Sequence, residues 1–211
     1  MKVLIYSDVH GNLPAFEKML SIEKNIDRYI CLGDLVNYGP WSNECVDLAL
    51  SLPNSSIIMG NHEEAFINNY YPGDNPLVQS FFKICHKNFN KLSEIKKFVP
   101  FFQLEQFTCT HTINNNYVYP DTSIVLNDNY IIGHSHHQFK YVSNEYILYN
   151  SGSVGQNRMY INEINYLIFD TDSKIIELKS CLYDVNLLID KMKYLNYPDF
   201  CIEYYTSKKV K

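Results

Sequence analysis

The sequence has few of the features that mark membrane, secreted or nucleic-acid-binding proteins. Its 211 residues contain no apolar run close to the roughly 20 residues that a bilayer-spanning helix needs. The first apolar stretch is cut short by Ser7 and Asp8, which is too early for the core of a signal peptide. With 18 basic against 23 acidic residues, the net charge is −5. We therefore expect no membrane association and no broad nucleic-acid surface.

The cysteines lack the spacing of a disulfide framework or a zinc site. Six are present, none in a CxxC pair, and several lie inside apolar runs such as YICLG and FTCTH, where cysteine behaves as a small core residue. A chain of this length buries roughly 70% of its unfolded surface and needs no disulfides to fold. We expect reduced thiols, a cytoplasmic location and a single domain over residues 1–211.

No repeat, low-complexity segment or flexible linker divides the chain. In the first half, the stretches KVLIYS, RYICL and SSIIM predict strands, and helices are predicted after the first strand, over residues 42–50 and over residues 76–98. Strands dominate the second half, with hairpin turns at 143–145 and 170–173, before Asp184 caps a last helix. This order predicts an α/β domain of stacked sheets with helices outside.

Five of the predicted strands end just before residues that can bind a metal or transfer a proton. These residues are Asp8, His10, Asp34, Asn61, His62, His111, His134 and His136. The carboxyl ends of strands in an open α/β sheet form its ligand crevice, so we expect these side chains to converge. Asp8 and His10 are two positions apart, as are His134 and His136. In extended backbone both members of such a pair point to the same face.

The chemistry of the candidate ligands favours transition metals. Seven of them are two carboxylates, one amide and four imidazoles, a mixture that suits Mn, Fe, Zn or Ni and not calcium. Seven donors exceed the needs of one tetrahedral zinc and fit two ions that share a carboxylate. A single Asp or His at a strand end is usually a cap or a surface residue. Five such strand ends together favour a two-metal site.

The motifs D-x-H, G-D, G-N-H-E, a separate His and G-H-x-H occur here in an order that resembles the calcineurin-like metallophosphoesterases, over roughly residues 1–160. SDVHGNLPA, CLGDLVNYGP and NSGSVGQNR resemble the small bacterial phosphodiesterases of that superfamily. The resemblance implies a four-layer αββα sandwich of two mixed sheets flanked by helices, with a dinuclear site at the strand ends. It also implies hydrolysis of phosphate esters, diesters foremost, by a hydroxide that the metals activate.

The resemblance gives each residue of the set a role. It assigns the first metal to Asp8, His10 and His136, the second to Asn61, His111 and His134, the bridge to Asp34, and acid–base chemistry to His62. Mn is the expected metal, with Fe, Zn, Ni or Co as alternatives. Asn12 and Arg158 are candidates for binding the substrate phosphate, the alternatives being a helix cap for Asn12 and a surface ion pair for Arg158. Glu63 is expected to support the ligands.

Three departures from the superfamily pattern affect these expectations. The segment GDLVNYG has Asn37 where the phosphatases carry an aspartate that pairs with the acid histidine. An amide orients an imidazole but does not stabilise its protonated form, which favours diesters or activated esters. THT replaces the usual His-Gly, so Thr112 is expected to narrow the surroundings of the second metal. NSGSVGQ replaces the commoner Asn-Pro-Gly-Ser, and we expect this change to affect the loop more than the metal ligands.

Other functions stay open at this stage. A phosphomonoesterase or protein phosphatase, a dinucleoside polyphosphate hydrolase, and a non-catalytic scaffold such as the retromer subunit of this fold are the alternatives. The expected partner is a small phosphate ester. Residues 68–98 are predicted to form a helical cap beside the site, with aromatic side chains that either stack on a base or pack in the core. In GHSHH, His137 has the opposite parity to His136 and is expected to point away.

Overall fold

The computed structural model describes residues 1–211 as two five-stranded sheets and seven helices. The strands are β1 (Lys2–Tyr6), β2 (Arg28–Cys31), β3 (Ser55–Ile57), β4 (Phe101–Leu104), β5 (Phe107–Thr110), β6 (Asn129–Ile132), β7 (Gln138–Ser143), β8 (Tyr146–Ser151), β9 (Glu163–Asp170) and β10 (Ile175–Leu182). The helices are α1 (Leu13–Ile22), α2 (Ser42–Ser51), α3 (Asn61–Asn68), α4 (Pro76–Lys87), α5 (Leu92–Ile95), α6 (Asn186–Tyr194) and α7 (Asp199–Thr206).

Both sheets are mixed, as predicted. The first has the order β10-β9-β1-β2-β3 and the second the order β4-β5-β6-β8-β7. In the first sheet β1, β2 and β3 run parallel, and in the second β5, β6 and β8 do. The remaining pairings are antiparallel: β9 pairs with β1, β10 with β9, β4 with β5 and β7 with β8. The carboxyl ends of the parallel strands therefore lie at one edge of each sheet, where their connecting loops meet.

The sheets pack face to face over a shared apolar layer. Val3 and Ile5 of β1 point into this layer, together with Phe107 and Cys109 of β5. The alternate residues of β1 face the other way, into the larger core beneath the helices. Because both faces of β1 are buried, the strand reads as a continuous apolar run.

The outer face of the second sheet has a different cover from the first. Its apolar cluster contains Val118, Leu126, Ile132, Phe139 and Leu148 and no residue of a helix. The connection over residues 113–126, which is rich in asparagine and contains a proline, packs there instead. The α/β class and the two mixed sheets flanked by helices are confirmed. The layer that covers the outer face of the second sheet is a connecting segment and not a helix.

The predicted helix over 76–98 is two helices, α4 and α5, which are separated at Asn88–Lys91. Asn88 leaves helical geometry, and the ring of Phe89 turns in to pack edge-on against Phe66. The short helices α3 and α7 were not predicted. Both predicted hairpin turns are present, between β7 and β8 and between β9 and β10. No helix is both long and apolar enough to cross a bilayer.

Candidate metal centre

The strand-end residues converge, as the sequence predicted, on loops that are bonded to one another. The loop after β1 is held against the loop after β2 by hydrogen bonds from the backbone amides of Asp8 and His10 to the carbonyls of Gly33 and Asp34, at 3.0 and 2.9 Å. The backbone there is left-handed, with φ of 56° at Asp8, 50° at His10 and 58° at Asp34. This conformation turns the side chains inward directly beyond the strands.

One group of donors is formed by Asp8, His10 and His136. Nε2 of His10 and Nε2 of His136 are 3.1 Å apart, and Oδ1 of Asp8 lies 3.1 Å from His136 Nε2 and 3.6 Å from His10 Nε2. Such spacings match ligand atoms that surround one ion at about 2.1 Å. The Nδ1 atoms donate to the carbonyls of Val36 and Gln156, at 3.2 and 2.8 Å.

The protonation of this group fits a cation. Each imidazole donates its Nδ1–H to a backbone carbonyl, so the neutral form of each ring presents the lone pair of Nε2 to the centre of the group. Oδ1 of Asp8 is buried and has no hydrogen-bond partner. When both imidazoles are neutral, the two Nε2 atoms and Oδ1 of Asp8 present three electron pairs at contact distance, and a positive charge at their centre stabilises this arrangement. A metal ion supplies that charge.

A second group is centred on His111. Its Nε2 lies 3.0 Å from Nδ1 of His134, 3.0 Å from Oδ1 of Asn61 and 3.3 Å from Oδ2 of Asp34. Nδ1 of His111 donates to the carbonyl of Leu32 at 2.8 Å, so Nε2 is the ring atom that faces the other side chains of the group. The second group therefore places a carboxylate, an amide and two imidazoles around one point.

Asp34 is shared between the two groups. Its Oδ2 lies 3.3 Å from His111 Nε2 in one and 3.8 Å from His10 Nε2 in the other. Its Oδ1 accepts a hydrogen bond of 2.9 Å from the backbone amide of His62. One oxygen is thus fixed by the protein, and the other faces both groups.

Burial and neighbouring charges keep most of these ligand atoms in the protonation state that metal binding requires. Burial lowers the pKa of both His134 and His136 to about 4, so both are neutral at pH 7. Burial alone would raise the pKa of Asp8, but the imidazoles of His136 and His10 outweigh it and hold the pKa well below its usual value. Burial also opposes a charge on His111, yet the Asp34 carboxylate raises its pKa to about 10. Metal binding would displace that proton.

Comparisons with known proteins agree with this geometry. The family model described as calcineurin-like phosphoesterase matches residues 1–169. The chain belongs to the calcineurin-like phosphoesterase family. It is 30% identical to an uncharacterised protein of Methanocaldococcus jannaschii, over 90% of this chain and 91% of the other.

Solved structures share the fold. The crystal structure of a metallophosphoesterase from Sphaerobacter thermophilus superposes with a TM-score of 0.82 at 23% identity, and the alignment covers 98% of each chain. A hypothetical protein from Pyrococcus horikoshii OT3 has a TM-score of 0.78 at 12% identity, over 97% of each chain. The family establishes a metal-dependent hydrolase of phosphate esters.

In this phosphoesterase His62 lies beside Asp34. Its Nδ1 is 2.8 Å from the side-chain amide of Asn37, and its Nε2 is 3.9 Å from Asp34 Oδ2. The ring of Tyr71 packs against it with centroids 5.0 Å apart. Burial lowers the pKa of His62 to about 3, although Asp34 acts in the opposite direction. The expected contact between Asn37 and the histidine is confirmed.

Of the predicted cap over 68–98, only part approaches the site. Tyr71 touches His62, whereas Phe81 and Phe82 are buried in the core and Tyr70 is 65% exposed. Of the two predicted roles, stacking on a base or packing in the core, both phenylalanines therefore have the second. The segment contributes one ring to the phosphoesterase site and packs elsewhere with the rest of its apolar side chains.

Glu63 is a buried clamp for the ligand loops. Its carboxylate accepts hydrogen bonds from the backbone amides of Asp34, Leu35, Val36 and Gly60, at 2.8 to 3.2 Å. The expected supporting role is confirmed. Gly60 is required at this point, because a Cβ there would lie 2.2 Å from Oδ1 of Asp34.

The two candidate phosphate-binding residues have different surroundings. The Asn12 side chain is buried, accepts from the Ala15 amide at 3.3 Å as the cap of α1, and donates to the Gly155 carbonyl and the Tyr183 hydroxyl. Both of its polar atoms are engaged within the protein, so the capping alternative accounts for it.

Arg158 is exposed and forms no ion pair with a carboxylate, contrary to the surface alternative. Its guanidinium donates to the hydroxyl of Tyr204 at 2.5 Å. Its positive charge acts together with burial to lower the pKa of His136, against the raising influence of Asp8, so it lies within electrostatic reach of the first donor group. Tyr204 belongs to α7, beyond the residues that the family model matches, and no motif in the sequence marks it.

The histidine cluster needs one correction. The strand β6 ends at Ile132, and φ is 67° at His134 and 59° at His136, so the backbone is not extended as the parity rule assumed. The two imidazoles reach different donor groups. His137 joins neither group and packs edge-on against Tyr119. The prediction that His137 points away from the donor groups is confirmed. The cause is the left-handed turns at His134 and His136 and not the alternation of an extended strand. Tyr117, which sequence patterns also missed, stacks on His134 with centroids 4.0 Å apart.

Proposed function

We propose that this phosphoesterase holds two transition-metal ions, with Mn as the first choice and Fe, Zn, Ni or Co as alternatives, and that it hydrolyses small phosphodiesters. The observation that carries the proposal is the position of Asp34, whose Oδ2 faces the imidazoles of both donor groups. Asp8, His10 and His136 would hold one ion and Asn61, His111 and His134 the other. Two ions in such a site clamp phosphate oxygens and lower the pKa of a bound water.

The residues around the donor groups would orient the substrate and move a proton. His62 would protonate the leaving oxygen through Nε2, while the Asn37 amide on Nδ1 fixes the ring. Arg158 would attract one of the phosphate oxygens, in an orientation that its bond to Tyr204 maintains. The left-handed loops and the Glu63 clamp would keep the ligands in place as the substrate binds.

The charges near the site favour a diester. A monoester carries up to two negative charges at neutral pH, whereas a diester carries one. Arg158 lies within electrostatic reach of the first donor group, and Asn37 leaves the imidazolium of His62 without a carboxylate partner on Nδ1. Both features suit a monoanion. A monoesterase or protein phosphatase is the second candidate. A dinucleoside polyphosphate carries more negative charge and would need more positive charge than the residues near the donor groups supply.

The wider properties support a small substrate inside the cell. A net charge of −5 argues against a polymer of nucleic acid as the partner. The six cysteines are all unpaired, which suits a reducing compartment such as the cytoplasm.

Elemental analysis and a substrate panel test the proposal. The purified protein, stripped of metal and reloaded with Mn, should contain about two ions per chain. It should hydrolyse bis-p-nitrophenyl phosphate faster than p-nitrophenyl phosphate, and a chelator should abolish both rates. Full activity with no more than one tightly held ion would remove the two-metal mechanism. A faster rate on the monoester would favour the second candidate, a monoesterase or protein phosphatase, over a diesterase.

A further inference from the structure

A cavity of about 600 Å³ opens beside the second donor group. Asn61, His111 and His134 form the side nearest to the metal centre. The other walls come from β4, β5 and the loop after β5, from residues 59, 60, 98 and 100, from Glu64 on α3 and from Tyr130 on β6. We call it the side cavity. Its volume is within the range that encloses a small organic molecule. A phosphate at the metal centre would lie at its mouth.

The side cavity carries almost no charge. None of its sixteen lining residues is a lysine or an arginine, and Glu64 is the only carboxylate among them. Phe101 on β4 offers a ring that is 55% exposed, and Tyr130 offers a second aromatic wall. Away from the proposed metal ligands on its inner side, a second phosphate group would find no cation here. An uncharged ring would find a surface on which to stack.

The outer rim is a preformed turn with free hydrogen-bonding groups. Asn114 and Asn115 have φ of 53° and 56°, and the amide of Asn116 donates to the carbonyl of Ile113 at 3.1 Å, as in a type I′ turn. The side chains of Asn114 and Asn115 make no hydrogen bond within the protein, although both line the cavity. They present amide donors and acceptors to whatever enters.

The side cavity lies apart from the proposed acid. His62 is packed against the rings of His10, Tyr38 and Tyr71 and forms no part of the cavity wall. The group that leaves toward His62 therefore cannot be the group that fills the cavity. A diester has a second ester group, which stays on phosphorus, and a monoester has none.

We infer that the side cavity binds the ester group that remains on phosphorus, and that this group is an uncharged, ring-bearing alcohol of the nucleoside type. The inference rests on the proposed diesterase function and names its substrate class. Phe101 stacks on the ring, and the amides of Asn114 and Asn115 bind its polar edge. Glu64 repels any further phosphate on that alcohol.

Three esters with the same leaving group test this assignment. They are methyl p-nitrophenyl phosphate, thymidine 5′-(p-nitrophenyl phosphate) and the latter with a 3′-phosphate. In each, water adds to phosphorus, the bond to p-nitrophenol breaks, and the retained alcohol is released as its monophosphate. The KM of the thymidine ester should be at least about fivefold below that of the methyl ester. The added 3′-phosphate should reverse this gain.

Two variants locate the effect. In Phe101→Ala the KM of the thymidine ester should rise by roughly fivefold or more relative to the methyl ester. Phe200→Ala, which removes a ring on α7 that is 47% exposed, should change neither KM. Glu64→Lys should lower the KM of the 3′-phosphorylated ester, whereas Glu17→Lys makes the same charge change on α1, outside the cavity, and should not.

The methyl ester separates this inference from the proposed function. If the wild type hydrolyses the methyl ester but has the same KM for the thymidine ester, or if Phe101→Ala matches Phe200→Ala, the side cavity is not the subsite. Calorimetric titration of the Mn-loaded protein with thymidine 5′-phosphate makes the comparison without turnover. Its Kd should rise in Phe101→Ala and stay constant in Phe200→Ala, and equal Kd values in the two variants would overturn the inference.

Discussion

The side-chain amide of Asn37 lies 2.8 Å from Nδ1 of His62, on the side of the ring away from Asp34. The amide fixes the orientation of the imidazole without supplying a negative charge. An imidazolium formed at His62 is therefore stabilised from one side only, by a carboxylate 3.9 Å from Nε2 that also faces both donor groups. Proton donation should consequently be the weak part of catalysis when the leaving group is poor.

Asn37→Asp should speed the hydrolysis of esters with poor leaving groups by roughly tenfold, because a carboxylate at Nδ1 favours the protonated ring. Esters of p-nitrophenol should change little. Rates over a series of leaving alcohols, plotted against the pKa of the alcohol, should give a shallower slope in the variant. Asn25→Asp is the control, since Asn25 also has a positive φ, of 56°, but is exposed. An unchanged slope would contradict the assigned role of Asn37.

His62→Asn should leave the metal content nearly intact, because none of the seven proposed ligands is changed. It should slow turnover on poor leaving groups by roughly 10²–10⁴, the usual contribution of a general acid. A good leaving group needs less protonation and should suffer less. Elemental analysis and rates on both classes of ester measure the two effects. Equal losses on both classes would assign His62 a different role.

Asp34→Asn and Asp8→Asn should differ in the number of ions lost. Asp34 faces both donor groups, so its replacement should weaken both ions. Asp8 offers its free Oδ1 to one group, so its replacement should empty one site first. Elemental analysis after dialysis against a weak chelator checks both. Retention of two ions by Asp34→Asn would rule out the bridge.

Glu63→Gln should lower the free energy of unfolding by about 2–4 kcal/mol. The buried carboxylate accepts four backbone N–H groups, and the amide of glutamine would turn an N–H toward one of those donors. Glu64→Gln is the matched control, because the neighbouring Glu64 is exposed, and should stay within about 0.5 kcal/mol. Urea denaturation of the metal-free proteins measures both. Equal free energies of unfolding for the two variants would show that the hydrogen bonds of Glu63 do not stabilise the fold.

His136→Ala should lose one metal ion and at least about 10² in rate, whereas His137→Ala should stay within roughly tenfold of the wild type. His136 belongs to the first donor group, and His137 packs on Tyr119 outside both groups. Metal stoichiometry and the diesterase rate of the two variants decide the assignment. Loss of an ion in His137→Ala but not in His136→Ala would reverse it.

The convergence of the strand-end residues could be predicted because it depends on topology. Parallel strands put their carboxyl ends at one edge, so Asp8 after β1 and Asp34 after β2 must be neighbours whatever the details of the loops. The direction of individual side chains depends on φ and ψ beyond the strand end. The parity rule assumes extended backbone, and the chain is already left-handed at His134 and His136.

Other features had no sequence signal strong enough to be read. The chain contains 18 tyrosines, so nothing in the sequence distinguishes Tyr117, which stacks on His134, or Tyr204, which holds Arg158. Tertiary packing selects them. The helix α3 begins at Asn61, directly within the ligand motif, and its eight residues are too few and too polar for a periodic pattern.

Five of the seven proposed ligands have positive φ: Asp8, His10, Asp34, His134 and His136. At each of them a Cβ atom occupies the left-handed region, which costs about 1–2 kcal/mol and which glycine adopts without that steric penalty. Folding and metal binding thus make opposite demands at the same five positions. A lineage released from catalysis would gain stability by drifting toward glycine there. Retention of aspartate and histidine at all five positions means that this chain still carries that cost.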